Sequence, residues 1–227
     1  MDRKFKKTIN YLNTKKRILF LTTSNRWNDE KPKSTQLAYQ IAQRIPNVTL
    51  LEIPHFKIYP CEGNVSAAAG NNCGVKAALL KDKMKNPSGL HRCWASINNK
   101  DDELWKVSQE LFQSDCVIFF GSIRWGQMNS YYQKLIERLT WIENRHVTLK
   151  EKNPLKNIDV GIIALGQNWN MKKVIATEKK VLQFFGFRVV PQLCWGWQYL
   201  QNAKDESLQS YKKGSKKFRR LFIEGFD

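Results

Sequence analysis

The chain has 227 residues, with 38 Lys or Arg against 20 Asp or Glu, a formal net charge of +18 and an isoelectric point near 9.8. That length suits one domain with a full-sized core or one domain carrying an insertion, and we expect the latter; hydrophobic residues at 42% and aromatics at 12% exclude a disordered chain. No apolar run approaches the ~20 residues that span a bilayer, and the lysine-rich start MDRKFKKTINYLNTKKR lacks the apolar core of a signal peptide, so a soluble, cytoplasmic protein is expected.

Residues 1–16 read as a basic N-terminal extension. The segment RILFLTT (Arg17–Thr23) is an apolar run of the length of a strand buried on both faces. STQLAYQIAQRI (Ser34–Ile45) spaces Leu37, Ile41 and Ile45 four apart, as a helix does. NVTLLEI (Asn47–Ile53) is β-branched and predicts a second strand. Residues 54–100 form a Gly-, Asn- and Lys-rich insertion holding Cys61, Cys73 and Cys93, with neither strand alternation nor long helical periodicity.

DDELWKVSQELF then opens on two aspartates suited to a helix N-terminus and places Leu104, Val107 and Leu111 on one face. Strand and helix alternate from there on. CVIFF (Cys116–Phe120) precedes a helix over Asn129–Ile142 with an Asn or Ser cap. DVGIIAL (Asp159–Leu165) precedes a helix ending at Gly186. FRVVPQLCW (Phe187–Trp195) is the fifth strand, and a helix from about Asp205 to Phe222 follows. Buried apolar strands alternating with helices imply an α/β chain with a doubly wound parallel sheet, helices on both faces and an insertion after the second strand.

Such sheets bind ligands at the C-terminal ends of their strands, where the strand order reverses. Three loops fall there: Thr22–Gln36, Gly121–Asn129 and Gly166–Asn170. The first is crowded with hydroxyls and runs into a helix N-terminus whose free amides favour an anion. It has neither the GxGxxG turn of dinucleotide folds nor the GxxxxGK[ST] of nucleotide triphosphatases. A phosphate there would be gripped by Ser24, Arg26, Ser34, Thr35 and the neighbouring Gln36. In the second loop a buried strand runs into Gly-Ser and then exposes an Arg and a Trp, which suits a ligand wall better than a simple connection.

Strand, Ser-x-Arg, Ser-Thr opening a helix, and then GSIRWGQMNSYYQKLIERL (Gly121–Leu139) together resemble the NAD(P)H-dependent FMN reductases of the flavodoxin-like superfamily. The likeness spans about Arg17 to Trp195. It implies a flavodoxin-like single domain over residues 1–227 with five parallel strands in the order 2-1-3-4-5. It further implies FMN as cofactor, NAD(P)H as co-substrate, and hydride passing through the flavin to a small acceptor such as a quinone or a flavin. By the same likeness Ser122, Ile123, Arg124, Trp125 and Gly126 would border the isoalloxazine ring, and Gly166, Gln167 and Asn168 would hold its polar edge. Gly126 would let the backbone approach the ring, and no catalytic side chain is required. A homo-oligomer, dimeric or larger, is also implied. The chain departs from the family pattern at Ile123, where proline is usual, at the charged Arg124, at Glu137 in place of aspartate, and in an insertion from Trp27 to Lys33.

Five cysteines without paired spacing suit a reducing compartment. Iron–sulfur flavoproteins place a cysteine cluster after the second strand, and this chain keeps Pro60-Cys61 and Asp101-Asp102 at the corresponding places. Its spacings match no compact cluster or zinc pattern, so no metal is assigned; the thiols are read as buried or inert, with a reactive thiol near the flavin, or a metal held by the three thiolates with His55 or His91, as the other readings. Met128 is either packing or a flavin contact. Arg138 is structural, paired with Glu137 or a carboxylate of a neighbouring helix, while Trp195 and Trp197 pack beneath the sheet or line a subunit interface. Two other functions share the fold. One is an electron-carrying flavodoxin, although such carriers are acidic; the other is a nucleic-acid binder using the terminal lysines on an α/β scaffold, with nucleic acid not the expected partner.

Overall fold

The computed structural model describes residues 2–26, 30–200 and 202–224. Its centre is a parallel sheet of β1 (Ile18–Thr22), β2 (Val48–Glu52), β3 (Cys116–Arg124), β5 (Asp159–Gly166) and β6 (Arg188–Gln198), in the order β2-β1-β3-β5-β6. Among the five parallel strands this is the expected 2-1-3-4-5. A two-residue strand, β4 (Gln127–Met128), adds an antiparallel pair to β3 through Ile123–Met128 and Arg124–Gln127. Every residue of β1 and β5 is buried, as strands covered by helices on both faces must be. β2 and β6 are the edges, and their burial is mixed.

One face is covered by α1 (Arg3–Leu12), α2 (Lys33–Ala42) and α7 (Leu208–Phe222), which pack Phe5, Leu12, Leu37, Ile41, Phe218 and Phe222 against Phe20, Phe120 and Trp195. The other is covered by α4 (Leu104–Gln113), α5 (Ser130–Val147) and α6 (Met171–Phe184), with Leu111, Leu135, Ile142, Val174 and Leu182 on the sheet. No helix among the described residues is long and apolar enough to cross a membrane.

The segment read as a basic extension is largely the docked helix α1. Asp2 caps it by accepting from the Lys4 and Phe5 amides. Phe5, Thr8 and Leu12 are completely buried, and Thr8 Oγ1 accepts a 2.9 Å hydrogen bond from Trp195 Nε1. The lysines occupy the opposite face, so a basic composition conceals an apolar stripe at i, i+3 and i+7. Trp195 therefore packs beneath the sheet, stacked on Phe222, while Trp197 packs against Phe218 and Tyr199.

The insertion forms short 3-10 turns and the brief helix α3 (Trp94–Asn98). A buried polar network fastens it to the domain. Arg138 pairs with Asp102, not with Glu137, and also donates to Tyr59 O (2.7 Å), Ser96 Oγ (2.9 Å) and Cys93 Sγ (3.4 Å). Asp102 also accepts from the Leu104 amide at the start of α4, so one of the two expected helix-start aspartates serves both roles. Ser96 donates its only hydroxyl proton to Asp102 at 2.9 Å. His91 Nε2 must then donate to Ser96 Oγ (3.0 Å), leaving Nδ1 to accept from Ser108 Oγ (2.8 Å). Burial, aided by the Arg138 charge, pushes the imidazole down to about 3, so it stays neutral.

Candidate functional site at the C-terminal ends of the strands

The strand order reverses between β1 and β3, and the loops leaving β1, β3 and β5 meet there. Local bonds set their geometry. Thr23 donates to Phe120 O (3.0 Å), and Asn129 donates through Nδ2 to Thr23 Oγ1 (3.1 Å). Asn129 Oδ1 meanwhile caps α5 by accepting from the Tyr132 amide (3.2 Å). One asparagine thus joins the ends of two strands to the start of a helix.

A cavity of about 240 Å³ lies between these loops, lined by Ser24, Arg26, Ser34, Ser122, Ile123, Arg124, Gly166 and Gln167 among others. Ser24 and Ser34 are both buried and share a 2.8 Å hydrogen bond between hydroxyls. The N-terminus of α2 has no side-chain cap, so its first amides are available to an anion. Arg26 is half-exposed and held by Glu30 at 2.7 Å, and Lys33 also reaches Glu30 and lines the cavity. Residues Trp27, Asn28 and Asp29 of the loop insertion lie outside the described residues.

Two of the expected phosphate-loop residues do not line the cavity. Thr35 is wholly buried and its Oγ1 has no protein partner. Gln36 turns its amide back onto Lys31 O at 2.7 Å, because α2 begins at Lys33 and carries position 36 around to its side.

A second cavity of about 540 Å³ adjoins the first, sharing Ile123, Arg124, Gln167 and Tyr211 with it, and is also lined by Trp125, Gly126, Asn168, Trp169 and Glu206. Trp125 is 94% exposed and holds φ +48°, a left-handed conformation rare for a tryptophan, so it is not a core residue. Gly126 has φ +74°, and a Cβ there would lie 2.8 Å from Asn170 Nδ2 and 2.9 Å from the Trp169 ring. The glycine is therefore required by the packing of the β5–α6 loop, which Asn170 reinforces by donating to Gly126 O at 2.7 Å. Met128 is core packing, 3% exposed.

Sequence reasoning missed the contribution of α7. Tyr211 and Ser215 line the first cavity, and Tyr211 donates to Glu206 at 2.6 Å, which raises the phenol's pKa. Asn168 also donates to Glu206. The second cavity thus has a cation, Arg124, and an anion, Glu206, on its walls. The one available signal was the helical stripe Tyr211, Ser215, Phe218, whose upper end overhangs the sheet.

Cys61, Cys73 and Cys93 come together around a separate small cavity of about 20 Å³ with Glu137, Arg138 and Trp141, not beside the main site. Burial pushes the Cys73 thiol up to about 12. Among the described residues no group of three or more His, Cys, Asp or Glu is placed to hold a metal ion.

No family model matches the chain, and no curated protein matches it significantly. Its fold is similar to that of several solved structures. RosB with bound 8-demethyl-8-formylriboflavin-5'-phosphate is 15% identical, over 91% of this chain and 72% of that one, with a TM-score of 0.60. The azoreductase AzrA is 11% identical, over 91% and 98%, with a TM-score of 0.51. A protein assigned as a quinone reductase in Klebsiella pneumoniae is 12% identical, over 90% and 83%, with a TM-score of 0.51. The chain has the flavodoxin-like α/β fold, a parallel sheet flanked by helices.

Proposed function

We propose that the chain is an FMN-binding, NAD(P)H-dependent oxidoreductase acting on a small acceptor. The observation that carries this is the convergence of buried hydroxyls at an uncapped helix N-terminus with a second, aromatic-walled cavity at the topological switch of the sheet. Taken together, the two adjoining spaces of about 240 and 540 Å³ fall in the range of small-molecule sites, about 300–1,000 Å³. The similar structures support the reading, since one holds a riboflavin phosphate and others are named as reductases.

The residues present fit FMN. Ser24, Ser34 and the first amides of α2 would take the phosphate, with Lys33 and Arg26 supplying charge once Glu30 releases them. Ser122–Gly126 and Gly166–Asn168 would flank the ring, with backbone donors at its polar edge. Bound there, FMN would supply hydride acceptance from a nicotinamide and onward transfer to the acceptor. The chain contributes orientation and electrostatics: Arg124 attracts an anionic or carbonyl-bearing group, and Trp125 offers a flat apolar wall.

The test is an absorbance scan of protein reconstituted with FMN, followed by addition of NADPH or NADH. Flavin absorbance that bleaches with the nicotinamide is the expected result, and Ser24→Ala with Ser34→Ala should weaken FMN binding markedly. Unchanged flavin occupancy in that double variant overturns the phosphate assignment, and flavin that no nicotinamide bleaches indicates an electron carrier. We also propose a dimer or larger assembly; light scattering at the 26.6 kDa monomer mass across micromolar concentrations overturns it.

A further inference from the structure

The net charge of +18 is not absorbed by the candidate site, and five lysines meet on one surface feature. A groove of about 1,090 Å³ runs along β6, the open edge of the sheet. Its walls come from helices on opposite faces: Lys4 of α1 and Lys217 of α7 on one side, and Lys172, Lys173 and Lys179 of α6 on the other. No carboxylate lines it among the described residues, and none of these five lysines forms an ion pair there. Lys4, Lys172, Lys173 and Lys217 are exposed. Lysines that are paired with acids, such as Lys57 with Asp101 and Lys106 with Glu103, lie outside the groove. What sets the groove apart is that α1, α6 and α7 bring five lysines and no carboxylate onto the two walls of one concave surface.

The groove also meets the candidate site. Asn168 and Trp169 line both it and the second cavity, and Tyr199 lines both it and the first. Trp169, 51% exposed, stands at that junction.

We propose that this groove is the docking surface for an acidic protein, seated so that it reaches the mouth of the candidate site. The inference rests on the flavin reading above only for what the partner meets there; the docking itself rests on charge and shape. Complementary charge accelerates encounter and sets orientation, and lysines on both walls fix an acidic segment between them. β6, the sheet edge, forms the floor, where Lys4 Nζ donates to Gly196 O at 3.4 Å. Nucleic acid is the poorer occupant, because Trp169 is the one exposed aromatic among those lining the groove, and a single ring makes no stacking platform for successive bases. Trp195 is stacked on Phe222, and Trp197 is packed against Tyr199, Phe218 and Phe222. A membrane is poorer still, since the lysines line the walls of a concave surface.

The test uses the full chain and a defined probe, poly-L-glutamate, with oligo-dT and phosphatidylserine vesicles as comparators. Poly-L-glutamate should bind in a salt-sensitive manner. The variant Lys172→Glu, Lys173→Glu, Lys217→Glu should weaken it by about tenfold or more, as loss of complementary charge predicts. A control variant with the same charge change outside the groove, Lys81→Glu, Lys83→Glu, Lys156→Glu, should weaken it far less. Equal losses in the two variants overturn the proposal, because the effect would then be net charge alone. Oligo-dT or vesicles binding more tightly than poly-L-glutamate and losing that binding only in the groove variant also overturns it, and assigns the surface to nucleic acid or lipid. FMN binding is measured on the same samples. Probe binding without FMN binding defeats the flavin reading and leaves the docking surface standing; FMN binding with an ineffective groove variant does the reverse.

Discussion

Arg138 of α5 grips the Asp102 carboxylate with two hydrogen bonds, Nη1 to Oδ1 at 2.6 Å and Nη2 to Oδ2 at 3.1 Å, and both side chains are sealed from solvent. Removing one partner strands a charge in the interior. Asp102→Ala should therefore lose about 3–5 kcal/mol of stability. Adding Arg138→Met should recover part of that loss, since an apolar pair leaves no buried charge. Urea unfolding of the two variants measures both effects, and a double variant as unstable as the single one would show that the bonds to Tyr59 and Ser96 matter more than the charge pair.

His91 makes stability depend on pH. In the unfolded chain the imidazole binds a proton below about 6.5, whereas in the folded protein it does so only below about 3. Between those values the unfolded state holds more protons, so stability is full above about 6.5 and declines as pH falls, by up to ~1.4 kcal/mol per unit. His91→Gln should flatten that slope. Unfolding free energies at several pH values from 7 to 4 provide the comparison, and parallel slopes would mean that carboxylates alone govern the acid limb.

The docked helix α1 predicts a cost for changes in a segment that looks dispensable. Phe5→Ala should destabilise by about 3–5 kcal/mol. Thr8→Val leaves Trp195 Nε1 without its acceptor and should cost about 1–3 kcal/mol. Thermal melts read both, and a Phe5→Ala protein with an unshifted midpoint would show that α1 is not part of the cooperative unit.

Arg124 lines both cavities, so its charge should act on the substrate more than on FMN. Arg124→Ala should retain flavin and raise the KM for NADPH or the acceptor. An exposed ion pair contributes less than about 1 kcal/mol, so a change below about fivefold would mean that the guanidinium serves solvent. Loss of flavin would instead assign it to the FMN site.

The alternation of buried strands and amphipathic helices was enough to derive a parallel, doubly wound sheet and the three loops at its binding end, while the strand order came from the family resemblance. Those features depend on local periodicity and on the handedness of β-α-β connections, which neighbouring residues encode. Ser24, Ser34, Ser122 and Arg124 were legible because they sit at strand and helix ends, where chain order already predicts their position. Other features required contacts between residues far apart in the chain. α1 was obscured because its three buried residues are diluted by lysines that face solvent, and only the apolar seat beside Trp195 and Phe222 distinguishes a helix from a basic tail. Thr35 and Gln36 do not line the cavity, since burial encloses the one and the other bonds back to Lys31 O, which a motif alone does not reveal. Tyr211, nearly ninety residues beyond Arg124, joins its cavity only because α7 folds back over the sheet. The groove along β6 likewise arises because the fold brings α1 beside α6 and α7, far from it in the chain: composition determined that the protein is basic, and tertiary structure decided which five lysines share one concave surface.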